Sequence, residues 1–128
     1  MVMRHEEQAF HIAVAQYLDV ALPPEYPWTT IGHGGGGKTR GSILKAMGVK
    51  PGWPDIIILA PSISWGSSSS RFIGLELKAE RGKLSPAQKD VHERILFVGG
   101  FVHICRTLAE VEGALRAEMI PLRAKMSA

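Results

Sequence analysis

The chain has one cysteine, Cys105, so no internal disulfide framework holds it together. No apolar run approaches the ~20 residues of a membrane-spanning helix. The first eight residues, Met1 to Gln8, are charged where a signal peptide would be apolar. A cytoplasmic chain with no membrane partner is the expectation. Internal repeats are absent, as is any composition break that would mark a second domain. The five histidines (His5, His11, His33, His92 and His103) show none of the paired spacings of a zinc site, and Cys105 has no second cysteine to join it. His103 alternates within an apolar run and reads as a core or surface histidine rather than a ligand.

Acidic residues are missing from one long stretch. Between Glu25 and Asp55 the only charges are Lys38, Arg40, Lys45 and Lys50, with His33 nearby. A one-signed approach to an acidic site suits contact with a phosphate backbone, although an ordinary solvated loop would look the same. The net charge of +3 points the same way. With 128 residues and 45% hydrophobic content, the chain suffices for one folded domain, 1–128.

Taken in order, Glu6 to Leu18 has helical periodicity, with Phe10, Val14, Tyr17 and Leu18 on one stripe. Acids suit a first helical turn, so Glu6 and Glu7 also read as a solvated helix start. Glu7 falls on the apolar stripe, which makes it the better candidate for a site residue. Pro23, Pro24 and Pro27 end the helix. Trp28 to Ile31 reads as a short strand, and Ser42 to Met47 as a short helical turn. Between them, Gly32 to Thr39 satisfies G-x-x-x-x-G-K-[ST]. That pattern needs a later strand ending in a metal-holding acid, whereas Asp55 precedes its strand. A glycine loop letting backbone approach phosphates is the preferred reading, and a P-loop nucleotide binder is the alternative.

Pro51-Gly52-Trp53-Pro54 is a rigid turn leading to Asp55. Ile56 to Leu59 reads as a strand buried on both faces. A serine-rich hairpin loop, Pro61 to Ser70, connects it to a returning strand, Phe72 to Lys78. There Gly74 either leaves room beside a carboxylate or marks a bulge. Ala79 to Leu84 carries Arg81 and Lys83, a polar connection able to touch phosphates. Ser85, Pro86 and Gln88 form a capping box that starts a helix through Val91, Ile95 and Val98, stopping at Gly99-Gly100. Phe101 to Cys105 reads as another buried strand. Thr107 and Glu110 repeat the capping logic for a last helix through Val111 and Leu115 toward Met119.

The chemistry concentrates in two of these runs. In a period-2 strand Glu76 and Lys78 share a face while Leu75 and Leu77 point oppositely. If the runs pair, Asp55 and Glu76 converge on one cation, and two hard carboxylates suit Mg²⁺ or Mn²⁺. A surface cross-strand charge pair is the plainer explanation of Glu76 and Lys78. The helix acid, Pro54-Asp55, Glu76-Leu77-Lys78 and Ser85-x-x-Gln88 in that order are more specific.

Together these residues resemble the PD-(D/E)xK nuclease superfamily, and their spacing resembles its VRR-NUC (virus-type replication–repair nuclease) branch. Glu7 with Tyr17-Leu18, Lys45 to Gly48 before Pro51-Gly52, and Gly99 before the Phe101 strand support it. The resemblance spans roughly Glu7 to Leu115, and Trp53 before Pro54-Asp55 departs from the usual pattern. It implies an α/β, restriction-endonuclease-like core: a mixed sheet of about four strands flanked by the first helix and the two later ones. It further implies a Mg²⁺- or Mn²⁺-dependent DNA endonuclease acting on branched, flap or Holliday-junction DNA. Asp55, Glu76 and the Leu77 carbonyl would hold the cation, and Glu7 would complete the site, through water or a second ion. Lys78 would activate water and stabilise phosphate charge; Gln88 would position Lys78 or the nucleophile. Lys38, Arg40, Lys45, Lys50, Arg81 and Lys83 would contact DNA. The family includes members that dimerise, so a homodimer is a further expectation. A non-catalytic nucleic-acid-binding module of the same fold is the other class.

Overall fold

The computed structural model describes residues 2–31, 37–63 and 68–123; the side chains of residues 2–4 and 37–38 lie outside the description. The described elements are α1 (Val2–Ala21), β1 (Trp28–Thr30), α2 (Gly37–Ala46), β2 (Ile56–Pro61), β3 (Ser70–Leu77), α3 (Pro86–Phe97), β4 (Phe101–Cys105) and α4 (Leu108–Ala117). The strands lie in the order β1-β2-β3-β4. The first two pairings are antiparallel and the third is parallel, so α3 is the crossover from β3 to β4. The fold is thus α/β with a mixed four-stranded sheet, as the sequence predicts. No described helix is long and apolar enough to cross a membrane.

Alternation divides the sheet residues between two faces. Ile56, Ile58 and Ala60 of β2, with Ile73, Leu75 and Leu77 of β3, pack on Val14, Tyr17, Leu18 and Ala21 of α1 and Val111, Ala114 and Leu115 of α4. The stripe read on the first helix is therefore the core face. Helix α3 lies on the other face, where Gly74 and Glu76 point.

Several expectations need correcting. β2 is not buried on both faces: its burial alternates, with Leu59 41% exposed. β4 is a sheet edge rather than a buried strand, and Phe101 and Ile104 are exposed. α1 begins at Val2, so Glu6 and Glu7 sit beyond its first turn. α2 begins at Gly37, earlier than the predicted turn and inside the glycine motif, whose residues 32–36 lie outside the description. The strand before that motif is a three-residue antiparallel edge, unlike the strand of a P-loop unit. Glu110 does not close a reciprocal box with Thr107: its carboxylate accepts from Arg106 N at 2.6 Å. α4 stops at Ala117, and Met119 takes a left-handed φ of 61° on the surface. His103 is structural, lying 2.6 Å from Glu118, which also accepts from Arg71.

Gly52 sits at φ +95°, where L side chains are strained, and a Cβ there would overlap the Ala87 carbonyl of α3. Gly113, inside α4, has open space around it. Gly52→Ala is expected to lower stability by about 2 kcal/mol or more. Gly113→Ala is expected to raise it by about 0.5–1 kcal/mol. Urea unfolding measures both.

Candidate active site

The site forms where β2 begins and β3 ends. The register Ile56↔Leu75 extends by one step to set Asp55 opposite Glu76. Asp55 is delivered by the Pro51–Pro54 turn, which Gly52 seats on α3. Pro54 is fully buried, and its ring occupies the space that a side chain on Gly74 would need. The pairing runs through Gly74 without a bulge, so its bareness makes room, though for proline and not for a carboxylate.

Asp55 is held from both sides. Its carbonyl accepts from Ile31 N at 2.9 Å. Its Oδ2 accepts from Leu77 N at 2.7 Å, where Pro54 ends the regular ladder. A strand residue turns its N–H and C=O toward the same neighbour. The Leu77 carbonyl therefore faces the Asp55 side, while Leu77's side chain is in the core.

Glu76 is 1% exposed. Its Oε2 accepts from Gln88 Nε2 at 3.1 Å, and its Oε1 lies 3.0 Å from His92 Nε2. Gln88 serves twice. Its Oε1 accepts from Ser85 N at 2.9 Å in the capping box, where Ser85 Oγ accepts from Gln88 N at 3.1 Å. With the amide oxygen committed to the cap, the amide nitrogen is left for Glu76. Gln88 thus reaches the site through a hydrogen bond to Glu76.

Burial, then the neighbouring Asp55 carboxylate by charge and by hydrogen bonding, pushes Glu76 up to about 8; Lys78 opposes this, and Glu7 adds to it. Burial and the Lys78 charge push His92 down, with Asp55 acting against them. The Lys78 charge thus acts on both groups. Its own backbone is pinned by Lys78 N donating to Cys105 O at 3.0 Å.

A cavity of about 320 Å³ opens beside Asp55, lined also by Glu7, Gln8, His11, Ile12 and Leu77. Glu7 is half-buried and lines it, whereas Glu6 is exposed and does not. Of the basic residues, Arg40, Lys45, Lys50, Arg81 and Lys83 are exposed, and the Lys38 side chain lies outside the description. The turn bearing Arg81 and Lys83 is shaped by Arg106, whose Nη1 donates to the carbonyls of Ala79 at 2.7 Å and Gly82 at 2.7 Å.

Among the described residues no three His, Cys, Asp or Glu side chains gather as a ready-made metal site. Asp55 and Glu76 form a pair of hard oxygen donors, with a carbonyl turned toward them. Such a sparse set suits a cation that keeps most of its water, as Mg²⁺ does, and the crowding that raises Glu76 is what a cation would relieve.

His92 is the residue missed from sequence. It lies four residues after Gln88, and i and i+4 share a helix face. Once Gln88 was a candidate, that spacing was the available signal. The histidines lack zinc spacing, yet His92 bonds Glu76 and His11 lines the cavity.

No family model matches the chain, and no curated protein matches it. A solved structure named "VRR_NUC domain protein" matches with a TM-score of 0.57 and 20% sequence identity, covering 86% of this chain and 84% of that one. The two share a fold. With the sheet described above, this supports a restriction-endonuclease-like core.

The raised Glu76 pKa sets a pH dependence. Without divalent cations the folded protein keeps this proton up to about pH 8, while the unfolded chain releases it near the ordinary 4.5. The folded state therefore binds more protons between those values, and the Glu76 contribution is full below pH 4.5 and falls as pH rises toward 8. His92 acts oppositely, its lowered pKa costing stability as pH falls below 6.5. Comparison with Glu76→Gln isolates the carboxylate. In EDTA, the wild type is expected to lose stability relative to Glu76→Gln across pH 5 to 8, as measured by urea unfolding.

Proposed function

We propose that this protein is a metal-dependent endonuclease that hydrolyses DNA phosphodiester bonds. The observation that carries the reading is the buried Glu76 carboxylate set opposite Asp55 at a sheet end, with the Lys78 charge acting on it. A surface charge pair does not account for a carboxylate that is 1% exposed. The solved structure of similar fold carries a nuclease-domain name, which favours the same class.

Asp55, Glu76 and the Leu77 carbonyl would hold Mg²⁺ or Mn²⁺, with Glu7 across the cavity reaching it through water. When bound, the ion supplies positive charge against phosphate oxygens and makes a water more acidic. The remaining work falls to the chain. Lys78 places its ammonium where negative charge grows on the phosphate and orients the attacking water. Gln88 keeps Glu76 turned toward its ligand position. The Asp55 bond to Leu77 N fixes the second carboxylate, so little rearrangement is needed when substrate arrives.

Lys38, Arg40, Lys45, Lys50, Arg81 and Lys83 would hold the phosphate backbone. Nothing in the sequence resembles a base-reading helix or zinc module. DNA structure (a branch, flap or Holliday junction) is accordingly the proposed determinant of choice.

Incubation of plasmid and branched DNA with Mg²⁺ or Mn²⁺ tests the reading. Cleavage by wild type is expected, with losses of at least about a hundredfold in Asp55→Asn, Glu76→Gln and Lys78→Ala. Binding without cleavage under every metal would instead assign a non-catalytic DNA-binding module.

A further inference from the structure

His92 is a buried titratable side chain for which the proposed reaction has no direct use. It is 8% exposed on α3, and its Nε2 lies 3.0 Å from Glu76 Oε1. Gln88, one turn earlier on the same face, donates to the other oxygen at 3.1 Å. Each carboxylate oxygen is therefore held by a separate residue of one helix, and that helix starts at a fixed point through the Ser85 box. A carboxylate gripped this way has lost its rotation about the terminal bond. It also has one oxygen turned into the protein toward a buried ring.

We propose that His92 is a positioning residue that donates from Nε2 to Glu76, fixing it as a one-oxygen ligand and biasing the site toward small octahedral cations over Ca²⁺. The inference rests on the nuclease reading and deepens it. The physical reasons are two. A ligating carboxylate held by outer hydrogen bonds reaches the metal with its orientation already set, and removal of such a partner commonly weakens metal binding. Ca²⁺ accepts more ligands and often takes both carboxylate oxygens, whereas Mg²⁺ and Mn²⁺ sites do with one and water. With Oε1 turned inward against His92, two-oxygen ligation requires rotating the carboxylate away from that buried contact.

The test is cation binding by calorimetry on the full chain without DNA, for wild type, His92→Gln and His92→Leu. His92→Leu is expected to weaken Mn²⁺ binding about ten- to a hundredfold and to narrow the preference for Mn²⁺ over Ca²⁺. His92→Gln, which retains an N–H donor, is expected to recover most of the affinity. A second measurement needs no variant to fold. In side-chain ¹⁵N spectra of the wild type, His92 should carry its proton on Nε2, and that signal should move when Mg²⁺ saturates the site. A leucine variant binding Mn²⁺ with wild-type affinity and selectivity would overturn the proposal. So would an Nε2 that carries no proton in the Mg²⁺-saturated protein. Unchanged binding in His92→Leu alongside wild-type DNA cleavage removes only the histidine's role. A wild type that binds neither cation removes the metal-dependent reading as well.

Discussion

Glu76 presents its fold with a difficulty. A carboxylate with almost no solvent around it is costly unless hydrogen bonds or opposite charge stand in for water. Here it also faces a second carboxylate, Asp55, which worsens the cost. The compensation comes from two side chains of α3, Gln88 and His92, and from the nearby charge of Lys78. For α3 to supply both partners it must begin soon after β3 and lie across the face to which Glu76 points. The parallel pairing of β3 with β4 is what places a crossover helix there. The sheet topology and the polar site are thus one arrangement.

Asp55 is controlled by different means. It stands just outside β2, so no ladder positions its side chain. Its place is set by close packing and one hydrogen bond: Gly52 against α3, Pro54 over Gly74, and the Leu77 amide closing on Oδ2. Rigidity at the strand's start and hydrogen bonding from a helix above meet at one point, and the cavity beside them admits Glu7 from α1. Each acid comes from a different part of the chain: Glu7 from α1, Asp55 from the turn before β2 and Glu76 from β3.

Much of this was legible in the sequence where local chemistry decides local structure. Ser85-Pro86-x-Gln88 dictates a helix start, and the cap formed as read. Glu76 and Lys78 alternate with core residues Leu75 and Leu77, so the facing of β3 followed from period 2. What the sequence did not reveal depends on neighbours. Ile56 to Leu59 is continuously apolar, yet Leu59 is exposed because the helix on that face packs toward β4. Phe101 to Cys105 is equally apolar and lies at an edge, since nothing local states how many strands follow. His92 sits between Val91 and Ile95 on a buried helix face, where a site residue and a core residue have the same pattern. Only the Glu76 carboxylate across from it distinguishes the two.

The proposed nuclease chemistry requires Asp55 and Glu76 to share a cation. Crystals soaked in Mn²⁺ and measured for anomalous scattering test it most directly. A peak is expected within ligand distance of the Asp55 and Glu76 carboxylate oxygens and of the Leu77 carbonyl. A peak confined to the 32–39 glycine segment, or none at this pair with Mn²⁺ saturating, would contradict it.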